Sequence, residues 1–154
     1  MALHLISIHH AEHGLAAVES VTHAVPGLGR RVVEGAEGVH GAVVLATCNR
    51  VEVYVDADGS THEVADIVRE SLGTTAGFVP MTLREDAAAL QHLFGVGAGL
   101  DSMVVGEREI AGQLRRALRE AHEEGIATGL LTATIEQAPR TSRKGSPPTR
   151  LAAP

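Results

Sequence analysis

Apolar and polar positions alternate from the first residues of the chain. In LHLISI, residues 3–8, Leu3, Leu5 and Ser7 share one face and His4, Ile6 and Ile8 the other, which is the period of two of a strand. HHAEHG then reads as a loop. In LAAVESVTHA, residues 15–24, Leu15, Val18 and Val21 recur at helical spacing, and Pro26 with Gly27 stops the helix. AVVLA at 42–46 is a short continuous apolar run, the mark of a buried central strand. TCNR interrupts it. Val51, Val53 and Val55 next alternate with Glu52, Tyr54 and Asp56, which predicts a half-buried strand paired to the previous one as a hairpin. Residues 61–72 carry Val64, Ile67, Val68 and Leu72 in a helical stripe, and GFVPMTL predicts a short last strand.

Beyond that strand the pattern turns helical. Leu90, Leu93 and Phe94 mark a helix over 84–94, and GVGAGLDSMVVGE forms a glycine-rich joint. Residues 107–123 give the clearest helix, with Ile110, Leu114, Ala117, Leu118 and Ala121 as its buried stripe and Glu107 and Glu109 suited to the dipole of its first turn. A final helix starts near Leu130 and is disturbed by Pro139; its apolar positions Leu130, Leu131 and Ile135 are expected to lie partly exposed. GSPPTRLAAP reads as a disordered tail. The order strand, helix, strand, strand, helix, strand predicts an α+β domain of the ferredoxin-like, split βαβ plan, followed by C-terminal helices. The domain is expected over 1–144 and the tail over 145–154.

Composition narrows the function. Among 154 residues 44 % are hydrophobic, enough for one folded domain with its own core. Aromatics are 2 %, so the core is aliphatic and base stacking on aromatic platforms is disfavoured. No run of about 20 apolar residues is present to span a membrane. MALHLISIHH lacks the basic and long apolar regions of a secretory signal, and the lone cysteine then implies a reducing, cytoplasmic setting. Charge is uneven: nine arginines face nineteen acids up to residue 138, while Arg140, Arg143, Lys144 and Arg150 follow with no acid. A body this acidic does not attract polyanions by charge alone, so any nucleic-acid contact must be local.

Cys48 is the only cysteine. The plain reading is a buried thiol packing as a small hydrophobe. Against it, Cys48 stands where a buried strand gives way to polar residues, and the charge of nearby Arg50 favours the thiolate, a nucleophile toward esters and carbonyls. His92, on an apolar helix, reads either as a satisfied core residue or as a proton donor and acceptor at the sheet end. His9, His10, Glu12 and His13 suggest a metal site, but neighbours in one loop rarely converge on a single ion. No G-x-G-x-x-G follows a strand, no phosphate-binding loop or H-E-x-x-H is present, and a second cysteine for redox cycling is missing.

Two blocks, ATCNRVEVYV at 46–55 and HLFGVGAGLDSMVVGEREIAGQLRRAL at 92–118, resemble glutamyl-tRNA reductase, over residues 1 to about 144. The resemblance implies an NADPH-dependent oxidoreductase of tetrapyrrole, porphyrin and heme biosynthesis. It implies that Cys48 attacks the ester joining glutamate to its tRNA, that a thioester forms, and that NADPH reduces it to glutamate-1-semialdehyde. By motif, Cys48 is the nucleophile and His92 the functional histidine. Thr47, Asn49 and Arg50 hold the glutamyl group, Arg50 pairing its carboxylate, a task that suits a bidentate guanidinium. Ser102, Glu107, Arg108, Glu109 and Gln113 match further substrate contacts. The implied partners are glutamyl-tRNA, a second copy in a homodimer, and glutamate-1-semialdehyde aminomutase as a channelling partner.

The chain departs from the family pattern in four ways. IHHAEHG stands where members read SHRTAP, Gly95 stands where an arginine follows HLF, and GSPPTRLAAP replaces a helix after RTSRK. The NADPH-binding and dimerisation domains are expected to be absent, so the hydride step is expected to be lacking. Three readings therefore stand: a catalytic domain, a non-catalytic degenerate fragment or regulatory module that binds glutamyl-tRNA or a partner, and a metal-binding protein using His9, His10 and His13.

Overall fold

The computed structural model describes residues 2–73, 79–97 and 110–145. Four strands, β1 (Ala2–His9), β2 (Val39–Ala46), β3 (Arg50–Ala57) and β4 (Thr82–Glu85), form one sheet in the order β2-β3-β1-β4. Every pairing is antiparallel. With α4 (Thr61–Leu72) between β3 and β4, this is the split βαβ arrangement expected from the sequence. Ser60 caps α4 through a reciprocal box: its Oγ accepts from Glu63 N at 3.1 Å, and its own N–H donates to Glu63 Oε1 at 2.8 Å.

Between β1 and β2 the chain is more helical than its pattern announces. HAEH is a helical turn, α1 (His10–His13), rather than a loop, because the His9 ring accepts from Ala11 N and caps it. The helix expected over 15–24 is α2 (Leu15–Val21) followed by a 3₁₀ turn, Thr22–Ala24. Pro26 and Gly27 do not lead straight into a strand. Gly27, at φ 77°, starts α3 (Leu28–Glu34), which buries Leu28 and Val32. The edge strand β2 begins at Val39, not Ala42, and carries a bulge between Val39 and Gly41.

After β4 come α5 (Asp86–Gly97), α6 (Ile110–Glu123) and α7 (Gly129–Gly145). The stripe Ile110, Leu114, Ala117, Leu118 and Ala121 is buried as expected. The α7 helix continues through position 139: one missing N–H does not stop a helix whose first turns are anchored by buried Leu131 and Ile135. Those two residues are therefore core, not exposed. The first part of GFVPMTL, most of the glycine-rich joint, Glu107 and Glu109, and residues 146–154 lie outside the described residues.

The sheet is covered on both sides. Ile6, Ile8, Val51, Val53 and Val55 pack with Val18, Val21, Leu28, Val32, Val64 and Val68 of α2, α3 and α4. Leu3, Leu5, Val43, Leu45 and Tyr54 pack with Leu93, Val96, Leu114, Leu118, Leu131 and Ile135 of α5, α6 and α7. This corrects the reading of β3 as half-buried. All eight of its residues are buried, and its polar side chains face a second helical layer, not water. Around β1 a polar chain ties three elements: His4 Nδ1 meets Thr61 Oγ1 at 2.8 Å, and Thr61 Oγ1 donates to Glu85 Oε1 at 2.9 Å.

The linker from α6 to α7 closes on the edge strand at Gly41. Ala42 N donates to Ile126 O at 3.0 Å, and a Cβ at Gly41 would lie 2.6 Å from that same oxygen and 2.7 Å from Thr128 Cγ2. Gly41→Ala is expected to lower stability by about 1–3 kcal/mol in equilibrium urea unfolding. Gly38→Ala, where the nearest atom would be 3.7 Å away, is expected to stay within about 1 kcal/mol of wild type.

Candidate active site

The site begins at the turn between β2 and β3, which is pinned on three sides. Thr47 N donates to Arg50 O at 2.8 Å, Asn49 N to Thr47 Oγ1 at 3.0 Å, and His10 N to Asn49 O at 2.8 Å. Cys48, at the centre of this turn, is exposed. It is not the packed thiol of the plain reading: short polar residues flank it, β2 ends at Ala46 before it and β3 starts only at Arg50 after it. Thr47 is half-buried. Asn49 is 6 % exposed, and its Nδ2 is buried with no hydrogen-bond partner among the described residues.

From Arg50 onward the period of two takes over. Arg50, Glu52, Tyr54 and Asp56 all point to the face covered by α5, α6 and α7, and the register of β1 sets Ser7 opposite Glu52. Arg50 and Glu52 are both fully buried, with Arg50 Nη1 3.5 Å from Glu52 Oε1. Glu52 also accepts from Ser7 Oγ at 2.8 Å and from Tyr54 OH at 3.2 Å. The fourth partner is His92, whose Nε2 lies 2.7 Å from Glu52 Oε2. The α5 helix places it there. Asp86, at φ 48°, turns the chain from β4 into the helix, and buried Ala89, Leu93 and Val96 seat that helix on the sheet with His92 at the border of the stripe.

Burial alone pushes the Glu52 carboxyl upward. The hydrogen bond and charge of His92, the Arg50 guanidinium and the Ser7 hydroxyl outweigh it and bring the pKa from 4.5 down to about 2. The group is an ionised carboxylate inside a protein, kept so by its partners.

Of the residues singled out in the sequence, Arg50 and His92 are thus joined through Glu52, and Cys48 stands on the turn that opens the same strand. Gln113, on α6, is half-buried; with Ala46 it lines a cleft of about 510 Å³ between α3, the edge strand β2 and α6. Its Oε1 is buried with no hydrogen-bond partner among the described residues. Ser102, Glu107, Arg108 and Glu109 lie outside the described residues. Sequence reasoning missed Glu52, Ser7 and Tyr54. The signal was Ser7, a polar residue on an otherwise leucine face of β1, opposite the one acid within two residues of Arg50.

The histidine cluster has structural work. His13 Nδ1 accepts from His9 N at 3.1 Å, its Nε2 meets Thr82 Oγ1 at 3.1 Å, and Glu12 Oε1 accepts from Thr82 Oγ1 at 3.1 Å. These bonds fasten α1 to the edge strand β4. Among the described residues no group of three His, Cys, Asp or Glu side chains is placed to hold a metal ion, and no helix is long and apolar enough to cross a membrane.

Because the folded pKa of Glu52 lies below its unfolded value, its contribution is complete above pH 4.5 and is lost as the pH falls toward 2. Urea unfolding is expected to show stability falling by on the order of 3 kcal/mol between about pH 5 and pH 2 on this account. In Glu52→Gln that acid slope is expected to flatten, while stability at pH 7 drops by about 3 kcal/mol because the donors converging on Glu52 lose a charged, buried acceptor.

The family model for the glutamyl-tRNA(Glu) reductase N-terminal domain matches residues 6–147. Glutamyl-tRNA reductase of Micrococcus luteus is 44 % identical over 97 % of the chain, and that of Pseudarthrobacter chlorophenolicus 39 % identical over 93 %; in each case the match covers 34 % of the relative. The solved glutamyl-tRNA reductase from Methanopyrus kandleri superposes with a TM-score of 0.76 at 29 % identity, over 92 % of this chain and 33 % of that one. The chain spans about a third of the length of these relatives. By sequence and by fold, it belongs to the glutamyl-tRNA reductase family, and what it holds is the family's N-terminal domain.

Proposed function

We propose that this chain carries the acyl-accepting chemistry of glutamyl-tRNA reduction, an early step of tetrapyrrole biosynthesis. The Cys48 sulfur adds to the carbonyl carbon of the ester between glutamate and tRNA. The carbon–oxygen bond breaks, the thiol proton passes to the departing tRNA hydroxyl, and a thioester remains on Cys48. His92 handles that proton. Arg50, fully buried against Glu52, attracts the glutamate side-chain carboxylate by its charge rather than by direct contact, Thr47 and Asn49 hold the rest of the glutamyl group, and Gln113, Ser102, Glu107, Arg108 and Glu109 supply further contacts. The working partner is glutamyl-tRNA and the setting the cytoplasm.

One observation carries this reading: the only thiol of the chain is exposed on a turn held by three hydrogen bonds, at the head of the strand whose Glu52 joins Arg50 to His92. A nucleophile on so fixed a backbone is already oriented for attack.

The described residues do not fit NADPH. All strand pairings are antiparallel, and no glycine-rich turn leads from a strand into the N-terminus of a helix, so the crossover that cradles a pyrophosphate is missing among them. No hydride step is assigned to them, and the reading ends at the thioester, which water then hydrolyses.

Incubation with glutamyl-tRNA labelled in the glutamate is expected to give protein-bound label that neutral hydroxylamine removes. Cys48→Ala is expected to lower that label at least about 100-fold. Equal label on Cys48→Ala, or none on wild type, contradicts the reading. Tight binding of glutamyl-tRNA without Cys48-dependent label would instead favour a non-catalytic binding module.

A further inference from the structure

Glu52 has no part in the acyl transfer set out above, yet it is the group on which Arg50, His92, Ser7 and Tyr54 converge. We propose that Glu52 is a positioning residue: whenever His92 is in its neutral form, Glu52 holds it as the Nε2–H tautomer and leaves Nδ1 as the nitrogen that exchanges protons in acyl transfer. The assignment rests on the acyl-transfer reading of Cys48.

The argument is one of donors and acceptors. An ionised carboxylate can only accept. A neutral imidazole has one donor nitrogen and one acceptor nitrogen, and the choice between them is made by the bond that one of them is given. At 2.7 Å from Glu52 Oε2, His92 Nε2 must carry the hydrogen, since an acceptor there would face an acceptor. The proton cannot sit on the carboxylate instead without loss. Arg50 offers Oε1 only donors, and the hydroxyls of Ser7 and Tyr54 also donate to this carboxylate. With Nε2 committed, Nδ1 is the remaining acceptor. It has no hydrogen bond among the described residues, and the side chain is 12 % exposed.

The proton balance then closes at one atom. Nδ1 takes the thiol proton as the sulfur adds to the ester carbonyl. It returns the same proton to the tRNA oxygen as the carbon–oxygen bond breaks, and Nε2–H stays on Glu52 throughout. Each turn of acyl transfer leaves His92 as it began. Glu52 touches neither thiol nor substrate in this scheme; it acts through the ring.

The test uses the full chain and has two parts. Nitrogen-15 NMR of the imidazoles, with His92 assigned by difference against His92→Gln, is expected to show the Nε2–H tautomer in the wild-type protein at alkaline pH. A wild-type His92 protonated on Nδ1 overturns the proposal whatever the variants do. In Glu52→Gln the carboxamide can donate to Nε2, so the tautomer is expected to become mixed or reversed, and the rate of Cys48 acylation to fall by about 100-fold. Adding Glu52→Gln to His92→Ala is expected to slow acylation by no more than about threefold beyond His92→Ala alone, because one residue works through the other. An unchanged rate in Glu52→Gln, or losses that multiply in the double variant, overturns it. Should wild-type protein take no label at all, the acyl-transfer reading fails, while the tautomer still reports separately on what Glu52 does to His92.

Discussion

A guanidinium and a carboxylate lie side by side on a sheet face whose other residues include leucine, valine and tyrosine together with Ser7 and Asp56. Removing both from water costs several kcal/mol for each ion, and their attraction offsets this only if the remaining hydrogen-bonding capacity is also met. In this chain it is met at Glu52. Its two oxygens take Arg50, Ser7, Tyr54 and His92 together, so that the acid belongs at once to β1, β3 and α5. Removing that one carboxylate would take a buried acceptor from Arg50, Ser7, Tyr54 and His92 at once.

Much of the architecture follows from keeping this group dry and in register. The antiparallel pairing of β1 and β3 fixes Ser7 opposite Glu52 and His9 opposite Arg50. The second helical layer makes the alternating acids of β3 interior residues: Glu52 meets four partners there, whereas both carboxylate oxygens of Asp56 are buried with no hydrogen-bond partner among the described residues. The turn before Arg50 cannot drift, since its backbone is bonded to itself and to the first residue of α1. A reactive thiol on a rigid turn and an imidazole on a rigid helix are thus referred to the same sheet. That suits a reaction in which small errors of placement are costly in rate.

The plan of the fold was legible because hydrophobic periodicity reports burial directly. The strands, α4 and the stripe of α6 stood out in this way. Short helices were not legible. The α1 turn depends on a histidine ring acting as a cap, and α3 on a glycine at positive φ, neither of which periodicity registers. The sharpest discrepancy was β3: Val51, Val53 and Val55 against Glu52, Tyr54 and Asp56 has the form of a strand with one wet face, and only the position of α5, α6 and α7 reveals that both faces are dry. Cys48, Arg50 and His92 could be named from the motif blocks. Glu52 could not, because its importance comes from Ser7 and His92, two neighbours distant in the sequence that no local pattern places beside it.

The central physical claim is that Glu52 remains an ionised carboxylate within the protein, and the most direct measurement of it is the carbon-13 shift of the Glu52 side-chain carboxyl followed from pH 7 downward. The account predicts a carboxylate signal that persists through the ordinary glutamate range and titrates near 2, together with the loss of the fold. A midpoint at 4.5 or above in protein that is still folded would mean that Arg50, Ser7, Tyr54 and His92 do not hold the charge, and would contradict the account.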